Sequence, residues 1–450
     1  MGKEEVMGRR RLGNRISGFR IILAGFAAVI LIGTGLLMLP AASRSGEAVP
    51  AGDALFTSVS AVCVTGLVVR DTALAWSGFG QAVILVLIQI GGLGVVTVAV
   101  LIAMASGRKI SLMQRGLIRD SLSAHQLGGM VRKTGFVLKL VFLTELAGAL
   151  AMMPAFCGEY GMHGVWMAVF HSVSAFCNAG FDIMGDRTGA YSSLTAFAAR
   201  PGAVLPLGLL IVIGGLGFLT WEDIAVNRFR LRRYRMQTKV ILAATAVLIL
   251  LPAAWLFFEE YGAYPLGERI GLSLFQAVTP RTAGFNTADL AQMSGSSKVM
   301  LTGLMLIGGS PGSTAGGIKN TTAVILLANA VSVFRRRNHA QLFGRRLEDP
   351  AVKSASSLLL LYLFMTVSGA LLISRAEGLP IGTCLFETAS AIGTVGLSLG
   401  ITPALGPLSR LVLISLMFFG RAGGLTVMCA ALSIKSGEVS RFPLEKIAVG

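Results

Sequence analysis

Eight long apolar runs constrain the fold of this chain more than any other feature of the sequence. A helix needs about 20 apolar residues to cross a lipid bilayer, and each run reaches or approaches that length. Only 14% of the 450 residues are charged, against about 25% in soluble domains. The sequence therefore predicts an all-α, multi-pass membrane protein. Its eight predicted spanning helices cover residues 21–39, 81–105, 135–156, 203–226, 240–258, 299–334, 354–373 and 408–434.

The distribution of charge predicts how these helices are oriented. The net charge is +17, and the lysines and arginines are concentrated before residue 21 and within 108–133, 228–239 and 335–346. The alternate loops carry acidic residues such as Glu47, Glu159 and Glu377, with few cations. Loops rich in lysine and arginine stay in the cytoplasm. We therefore expect a cell-membrane protein in the lipid bilayer with both termini cytoplasmic, and no nucleic-acid partner.

The residue types that carry enzyme chemistry are scattered along this chain. The five cysteines form no Cys-x-x-Cys pair, and the four histidines lie far apart, so neither a disulfide framework nor a metal site is indicated. No group of nucleophiles, carboxylates or metal ligands falls within the apolar runs. We expect no enzymatic activity and no covalently bound cofactor.

Four segments of the sequence align as copies of one unit. They read ALFTSVSAVCVTGLVV, AVFHSVSAFCNAGFDI, SLFQAVTPRTAGFNT and CLFETASAIGTVGLSL, beginning at residues 54, 168, 273 and 384. Each contains a Phe, then a stretch with Ser or Thr, then a Gly that a bulky apolar residue follows. The Phe and the Gly are ten residues apart in three copies and nine in the third. The four glycines are Gly66, Gly180, Gly284 and Gly396.

A second glycine motif follows each copy inside the next apolar run. It begins at Gly91, Gly214, Gly308 and Gly420, which lie 25, 34, 24 and 24 residues after the first glycine of their copies. The unit is therefore a spanning helix, a short helix with a glycine turn, and a second spanning helix with a glycine break. After a basic segment at 1–20, the predicted units cover 21–119, 120–236, 237–347 and 348–450.

The short segment of each unit is too brief to cross the membrane and too apolar for a free loop. Irregular backbone at membrane depth is tolerated only where it is buried in protein or lines a watery cavity. Four such turns around one axis would present rings of carbonyl oxygens, which can replace the hydration shell of a monovalent cation. The residues expected to supply these carbonyls are Val64, Thr65, Gly66, Asn178, Ala179, Gly180, Thr282, Ala283, Gly284, Thr394, Val395 and Gly396.

The third unit departs from the pattern at its second glycine motif, which reads GGSPGSTAGGIK. So many small residues disfavour a continuous helix, and we expect an interrupted helix whose middle forms a loop below the turns. The residues of this loop that we single out are Gly308, Gly309, Ser310, Pro311, Gly312, Ser313, Thr314, Ala315, Gly316, Gly317 and Lys319.

Two arginines stand out within apolar surroundings. Arg421 replaces the second glycine of the motif in the last run, and a charge at this depth usually faces a cavity or a partner. We expect it to meet the loop below the turns and to repel cations there. Arg281 precedes the third turn, where we expect it to donate hydrogen bonds to backbone carbonyls.

These motifs resemble the TrkH/TrkG/KtrB superfamily of potassium transporters. The resemblance rests on VCVTGL, FCNAGF, TPRTAGFNT, GTVGLS and GGSPGSTAGGIK, and it covers nearly the whole chain. Only about twenty residues precede the first unit, which favours the KtrB branch, the membrane subunit of the Ktr system. The resemblance implies potassium uptake through a channel-like pore, with potassium at the four turns and the loop together with Arg421 as a gate. It also implies a homodimer, sodium as an activator and a cytoplasmic ring of KtrA-like subunits that bind nucleotide.

Three alternatives stay open from the sequence. The first is a TrkH-like or less selective transporter of potassium and sodium, since only the fourth turn has the Thr-Val-Gly sequence of potassium channels. The second is an alternating-access carrier, against which four copies in the same orientation argue. The third is a membrane enzyme, for which the chain offers no cluster of reactive residues.

Overall fold

The computed structural model describes residues 18–95, 97, 98, 101, 130–228 and 230–423. The described chain is mostly helical, with one small hairpin of strands β1 (Gln341–Leu342) and β2 (Arg345–Arg346). The helices are α1 (Gly18–Leu37), α2 (Ala51–Val62), α3 (Thr72–Ala75), α4 (Gly78–Leu93), α5 (Met130–Tyr160), α6 (His163–Phe176), α7 (Gly185–Thr188), α8 (Pro201–Gly215), α9 (Phe218–Asn227), α10 (Met236–Glu259), α11 (Leu266–Val278), α12 (Gly295–Leu306), α13 (Asn320–Phe334), α14 (Asp349–Glu377), α15 (Ile381–Gly393) and α16 (Pro407–Ala422).

Four of the described helices are long and apolar enough to cross a membrane. They lie within α1, α5, α10 and α14, and their mean hydropathies run from 1.9 to 2.5. Large apolar side chains such as Leu31 and Phe364 are about two-thirds exposed on them, as lipid-facing side chains are. The chain is therefore a multi-pass membrane protein. The bent pair of α8 and α9 raises the number of candidate spans to five, so the arrangement of eight spans stays a prediction.

Breaks at glycines explain why several predicted spans are not single long helices. α8 and α9 meet at an angle of 96°, at Gly217, whose φ of +88° suits glycine. α4 and α16 likewise end at glycines with positive φ, Gly94 and Gly423. The predicted span 299–334 is divided into α12 and α13 by a non-helical segment at 307–319. The backbone therefore bends at the glycine motifs instead of continuing as straight helix.

The four short helices α2, α6, α11 and α15 form the centre of the molecule. Each packs against the helix before it in the chain, namely α1, α5, α10 and α14. Their phenylalanines at the shared register are almost completely buried: Phe56, Phe170, Phe275 and Phe386. A proline precedes three of these helices, which suits a helix start because proline lacks the N–H that the first turn leaves unbonded.

An ion-pair cluster joins the first of these short helices to α16, the last described helix. The carboxylate of Asp53 on α2 accepts a bond of 2.6 Å from Arg70 Nε and one of 2.7 Å from Arg410 on α16. The first and last parts of the described chain are thereby held together.

Some sequence predictions concern segments outside the described residues. They are most of the basic N-terminal segment, the basic segment at 108–129, and the predicted span beyond residue 423.

Candidate ion pathway

A backbone turn of the same unusual shape follows each short helix. The residue two before each glycine has a positive φ although it is not glycine: Val64, Asn178, Thr282 and Thr394, at +57°, +58°, +69° and +51°. The glycines themselves have φ of +89°, +67°, +84° and +92°. Left-handed geometry at a β-branched residue such as Val64 is strained, and strain of this kind persists where the surrounding structure enforces it. The surrounding structure therefore fixes the backbone shape of each turn.

The four turns lie next to one another in a closed ring. A Cβ added at Gly66 would lie 2.5 Å from the carbonyl oxygen of Ala179, and one at Gly180 would lie 2.6 Å from that of Ala283. A Cβ at Gly284 would contact the carbonyl oxygen of Val395, and one at Gly396 that of Thr65. Each glycine thus touches the next turn, and the fourth touches the first.

The carbonyl oxygens of these turns are not used in bonds within the described protein. None of the carbonyls in the triplets 64–66, 178–180, 282–284 and 394–396 accepts a hydrogen bond from a described residue. Buried carbonyls almost always have a partner. Rings of unused carbonyl oxygens can take the place of water around a monovalent cation. The short helices also direct their C-terminal ends, which carry partial negative charge, toward the same place.

A buried hydroxyl braces each turn from behind. Ser60 Oγ accepts from the N–H of Gly66 at 3.1 Å, and Ser390 Oγ accepts from that of Gly396 at 3.0 Å. Ser174 and Thr279 instead donate to the carbonyls of Phe181 and Phe285, both at 2.7 Å. The turn is therefore fixed on the side that faces away from the ring. These four residues share one register in the aligned copies, but the sequence alone does not indicate their role.

The segment 307–319 lies directly under the ring as a non-helical loop. Its two ends are joined by a bond of 2.7 Å from Gly308 N–H to the carbonyl of Ile318. A Cβ at Gly316 would collide with the side chain of Thr394, and one at Gly308 would lie 3.1 Å from the methyl group of Thr282. Glycines at these two positions therefore let the loop approach the third and fourth turns closely.

The loop is also bonded to the bend between α8 and α9. Ser310 N–H donates to the carbonyl of Gly215 at 2.9 Å, and Phe218 N–H donates to that of Gly312, also at 2.9 Å. The hydroxyl of Thr314 donates to the carbonyl of Phe176, at the end of α6, at 3.0 Å. The second unit therefore holds the loop in place at three points.

Arg421 links the loop to the first unit. Its guanidinium donates to the carbonyl of Thr314 in the loop and to the carbonyls of Gly91 and Gly92 at the end of α4, the last at 3.1 Å. A second cation of the loop, Lys319, donates through Nζ to the carbonyl of Ala315 at 2.7 Å. Two basic side chains therefore lie among the backbone carbonyls below the ring.

Comparison with known proteins decides the family. The family model described as TrkH, cation transport protein, matches residues 14–441. The chain is 38% identical to the potassium/sodium uptake protein NtpJ of Enterococcus hirae, over 98% of this chain and 99% of that protein. It is 35% identical to the Ktr system potassium uptake protein B of Bacillus subtilis, over 96% of each. The solved TrkH of Vibrio parahaemolyticus shares the fold, with a TM-score of 0.74 over 94% of this chain and 86% of that one, at 20% identity.

The chain belongs to the TrkH family. This is a family of cation transporters and not of enzymes. A cavity of about 290 Å³ above the ring fits a transport pathway, because all four turn glycines line it. Two carboxylates that the sequence analysis did not consider, Asp71 and Asp182, line it as well. A lone acidic residue after a turn has no pattern that would distinguish it from an ordinary loop residue.

Two further charged residues of this TrkH-family chain, Arg281 and Glu387, form hydrogen bonds with neighbouring parts of the protein. Arg281 is buried, and its guanidinium donates to the hydroxyl of Thr245 on α10 at 3.3 Å. Among the described residues it bonds no backbone carbonyl, so the expectation that it supports the turn in that way was wrong.

Glu387 on α15 accepts from Leu399 N–H at 3.2 Å and from Thr402 Oγ1 at 3.0 Å. It therefore ties the short helix to the segment after the fourth turn.

Proposed function

We propose that this chain is the pore-forming subunit of a Ktr-type system and carries potassium into the cell down its electrochemical gradient. Relatives that match nearly full length are named as Ktr system potassium uptake proteins in Bacillus subtilis and Vibrio alginolyticus and as a potassium/sodium uptake protein in Enterococcus hirae. The observation that carries the proposal is the closed ring of four turns whose carbonyl oxygens no described donor uses. Those oxygens form the selectivity filter.

The proposed pore has eight spanning helices in four units, with both termini in the cytoplasm. Each unit places its short helix and turn between two spanning segments, as α14, α15 and α16 do in the fourth unit. The glycine break in the second spanning segment lets it approach the short helix. A Cβ at Gly91, Gly214 or Gly420 would collide with the carbonyl oxygen of Val62, Phe176 or Ile392, respectively. The same contact in three units supports the proposal that the units share one architecture.

The loop below the ring acts as the gate in this proposal. It crosses the path under the third and fourth turns, and Arg421 ties it to the end of α4. The guanidinium adds a positive charge that opposes the passage of cations. Opening requires these bonds to break so that the loop can withdraw toward α8 and α9.

The expected partners follow from the Ktr resemblance. We propose a homodimer with one pore in each subunit, bound to a cytoplasmic ring of nucleotide-binding, KtrA-like subunits. The exposed arginines on the segment 335–346 offer a positively charged surface for such a partner. Sodium as an activator belongs to the same proposal.

A less selective transporter of potassium and sodium is the second candidate. It is favoured by the three turns that lack the Thr-Val-Gly sequence, and the relative with 38% identity is named as a potassium/sodium uptake protein. Both candidates use the same ring and differ in how strongly it rejects sodium.

Flux into liposomes tests the proposal and separates the two candidates. The purified full-length chain is reconstituted with and without a KtrA-like ring. Uptake of radioactive rubidium is then measured under an inside-negative membrane potential. We expect uptake that external potassium inhibits, that sodium inhibits far less, and that nucleotide changes when the ring is present. Equal inhibition by potassium and sodium would favour the less selective transporter. Uptake no faster than in empty liposomes would refute both.

A further inference from the structure

The residues two positions after the turn glycines occupy one level of the outer cavity. They are Val68, Asp182, Asn286 and Ser398, and all four line the cavity. Ser398 is already committed, because it donates to Glu387 and accepts from Gly400 N–H at 2.9 Å. Val68 offers no polar side chain. The second and third units therefore supply the remaining polar side chains at this level, Asp182 and Asn286.

Asp182 has acceptor capacity left over, and no basic partner for it is found among the described side chains. Its carboxylate accepts from Met184 N–H at 3.1 Å and is bonded to the Ser193 hydroxyl. In the part of the chain that the structure describes, no lysine or arginine pairs with it. Asp71, the other carboxylate of this cavity, is fully engaged with the N–H groups of Ala73, Leu74 and Tyr191.

Ser193 brings Asp182 together with Asn286 of the third unit. Its hydroxyl, bonded to Asp182, also accepts from the N–H of Asn286 at 3.1 Å. The side-chain oxygen of Asn286 is buried and accepts no hydrogen bond from a described residue. Leaving such an oxygen without a partner is unfavourable, and a carboxylate with no described basic partner in the same cavity adds to the imbalance. A cation corrects both.

We propose that Asp182 and Asn286 form an outer site for an alkali cation, which gathers and partly dehydrates the ion before it enters the ring. The inference rests on the proposed potassium uptake and adds a binding site to it. A carboxylate and an amide oxygen are hard ligands that suit such ions. A negative group at a narrow entrance also raises the local cation concentration.

The test compares Asp182→Asn with the parent in liposomes at pH 8. We expect the potassium concentration for half-maximal uptake to rise roughly tenfold, with the maximal rate little changed. Asp182→Glu should retain the affinity of the parent, and Asn286→Ala should weaken it. Asp186→Asn, an exposed change in the same loop, is the matched control.

The outcomes separate this inference from the proposed function. If the parent transports potassium and Asp182→Asn keeps its affinity for potassium, the outer site does not exist. If Asp182→Asn elutes as a folded protein yet lowers the maximal rate alone, the carboxylate positions the turn and the inference also fails. A parent that moves no potassium would instead refute the proposed function.

Discussion

Arg421 donates a hydrogen bond to the carbonyl oxygen of Thr314, across 107 positions in the sequence. This bond connects the last described helix to the loop under the ring of turns. The same guanidinium reaches Gly91 and Gly92, so one side chain spans the first, third and fourth units. The side chain therefore holds three parts of the pathway in one arrangement.

Arg421→Ala should raise flux, because the loop loses its bond to the first unit and the pathway loses a positive charge. A charge-assisted hydrogen bond contributes about 1.5–3 kcal/mol, so we expect roughly a tenfold increase in rubidium uptake without a regulator. Deletion within Gly312–Gly316 should act in the same direction. Arg421→Lys keeps the charge, so its flux should lie between that of the parent and that of Arg421→Ala. Flux at or below that of the parent in both Arg421→Ala and the deletion, with folding intact, would rule out the gate.

Replacement of a turn glycine by serine should weaken the preference for potassium over sodium. At Gly66, Gly180, Gly284 or Gly396 a Cβ would press on the adjacent turn and would require an unfavourable positive φ. A disturbance of about 1.4 kcal/mol in ion binding changes selectivity tenfold. The measurement is inhibition of rubidium uptake by each ion. Gly382→Ser, on α15 with no atom within 4 Å of the added Cβ, is the control and should behave as the parent.

Ser390→Ala should disturb the fourth turn without touching the ring itself. The N–H of Gly396 would lose its acceptor, and a buried unsatisfied donor costs about 1–3 kcal/mol. We expect reduced selectivity and a lower melting temperature. Ser415→Ala is the matched change, since that exposed hydroxyl only bonds its own helix at Leu411. Equal selectivity in both variants would show that the hydroxyl is not needed to shape the turn.

Asp53→Asn should loosen the contact between α2 and α16. Both arginines that bond Asp53 are partly exposed, so solvent screens the pair and the loss is modest. We expect the melting temperature to fall by about 2–4 °C, and by little more when Arg410→Gln is added. Glu47→Gln, an exposed change in the same outer region, should have no effect. Fully additive losses in the double variant would contradict a direct interaction.

The sequence was most informative where backbone geometry demands a particular residue. Glycine is favoured where φ is positive and where another backbone approaches closely, so the registered glycines indicated both the turns and the helix breaks. The density of small residues at 308–317 likewise indicated a non-helical loop. These signals depend only on residues near one another in the chain, so a single sequence is enough to detect them.

Interactions between distant side chains could not be read from the sequence in the same way. Ser60 and Ser390 look like ordinary helix residues until the turn folds back on them. The partner of Arg281 lies 36 positions away on another helix. Asp182 gains its importance from Asn286, more than one hundred positions later, through a shared hydroxyl. The packing of helices decides such pairings, and periodicity does not encode them.

The most direct test of the central claim is to locate the ion. Crystals of the full-length protein grown in rubidium, measured at the rubidium absorption edge, would reveal the ion by its anomalous scattering. The account predicts density on the axis of the ring, between the carbonyl oxygens of residues 64–66, 178–180, 282–284 and 394–396, which excess potassium removes. A protein that transports rubidium yet shows no rubidium within that ring would contradict it.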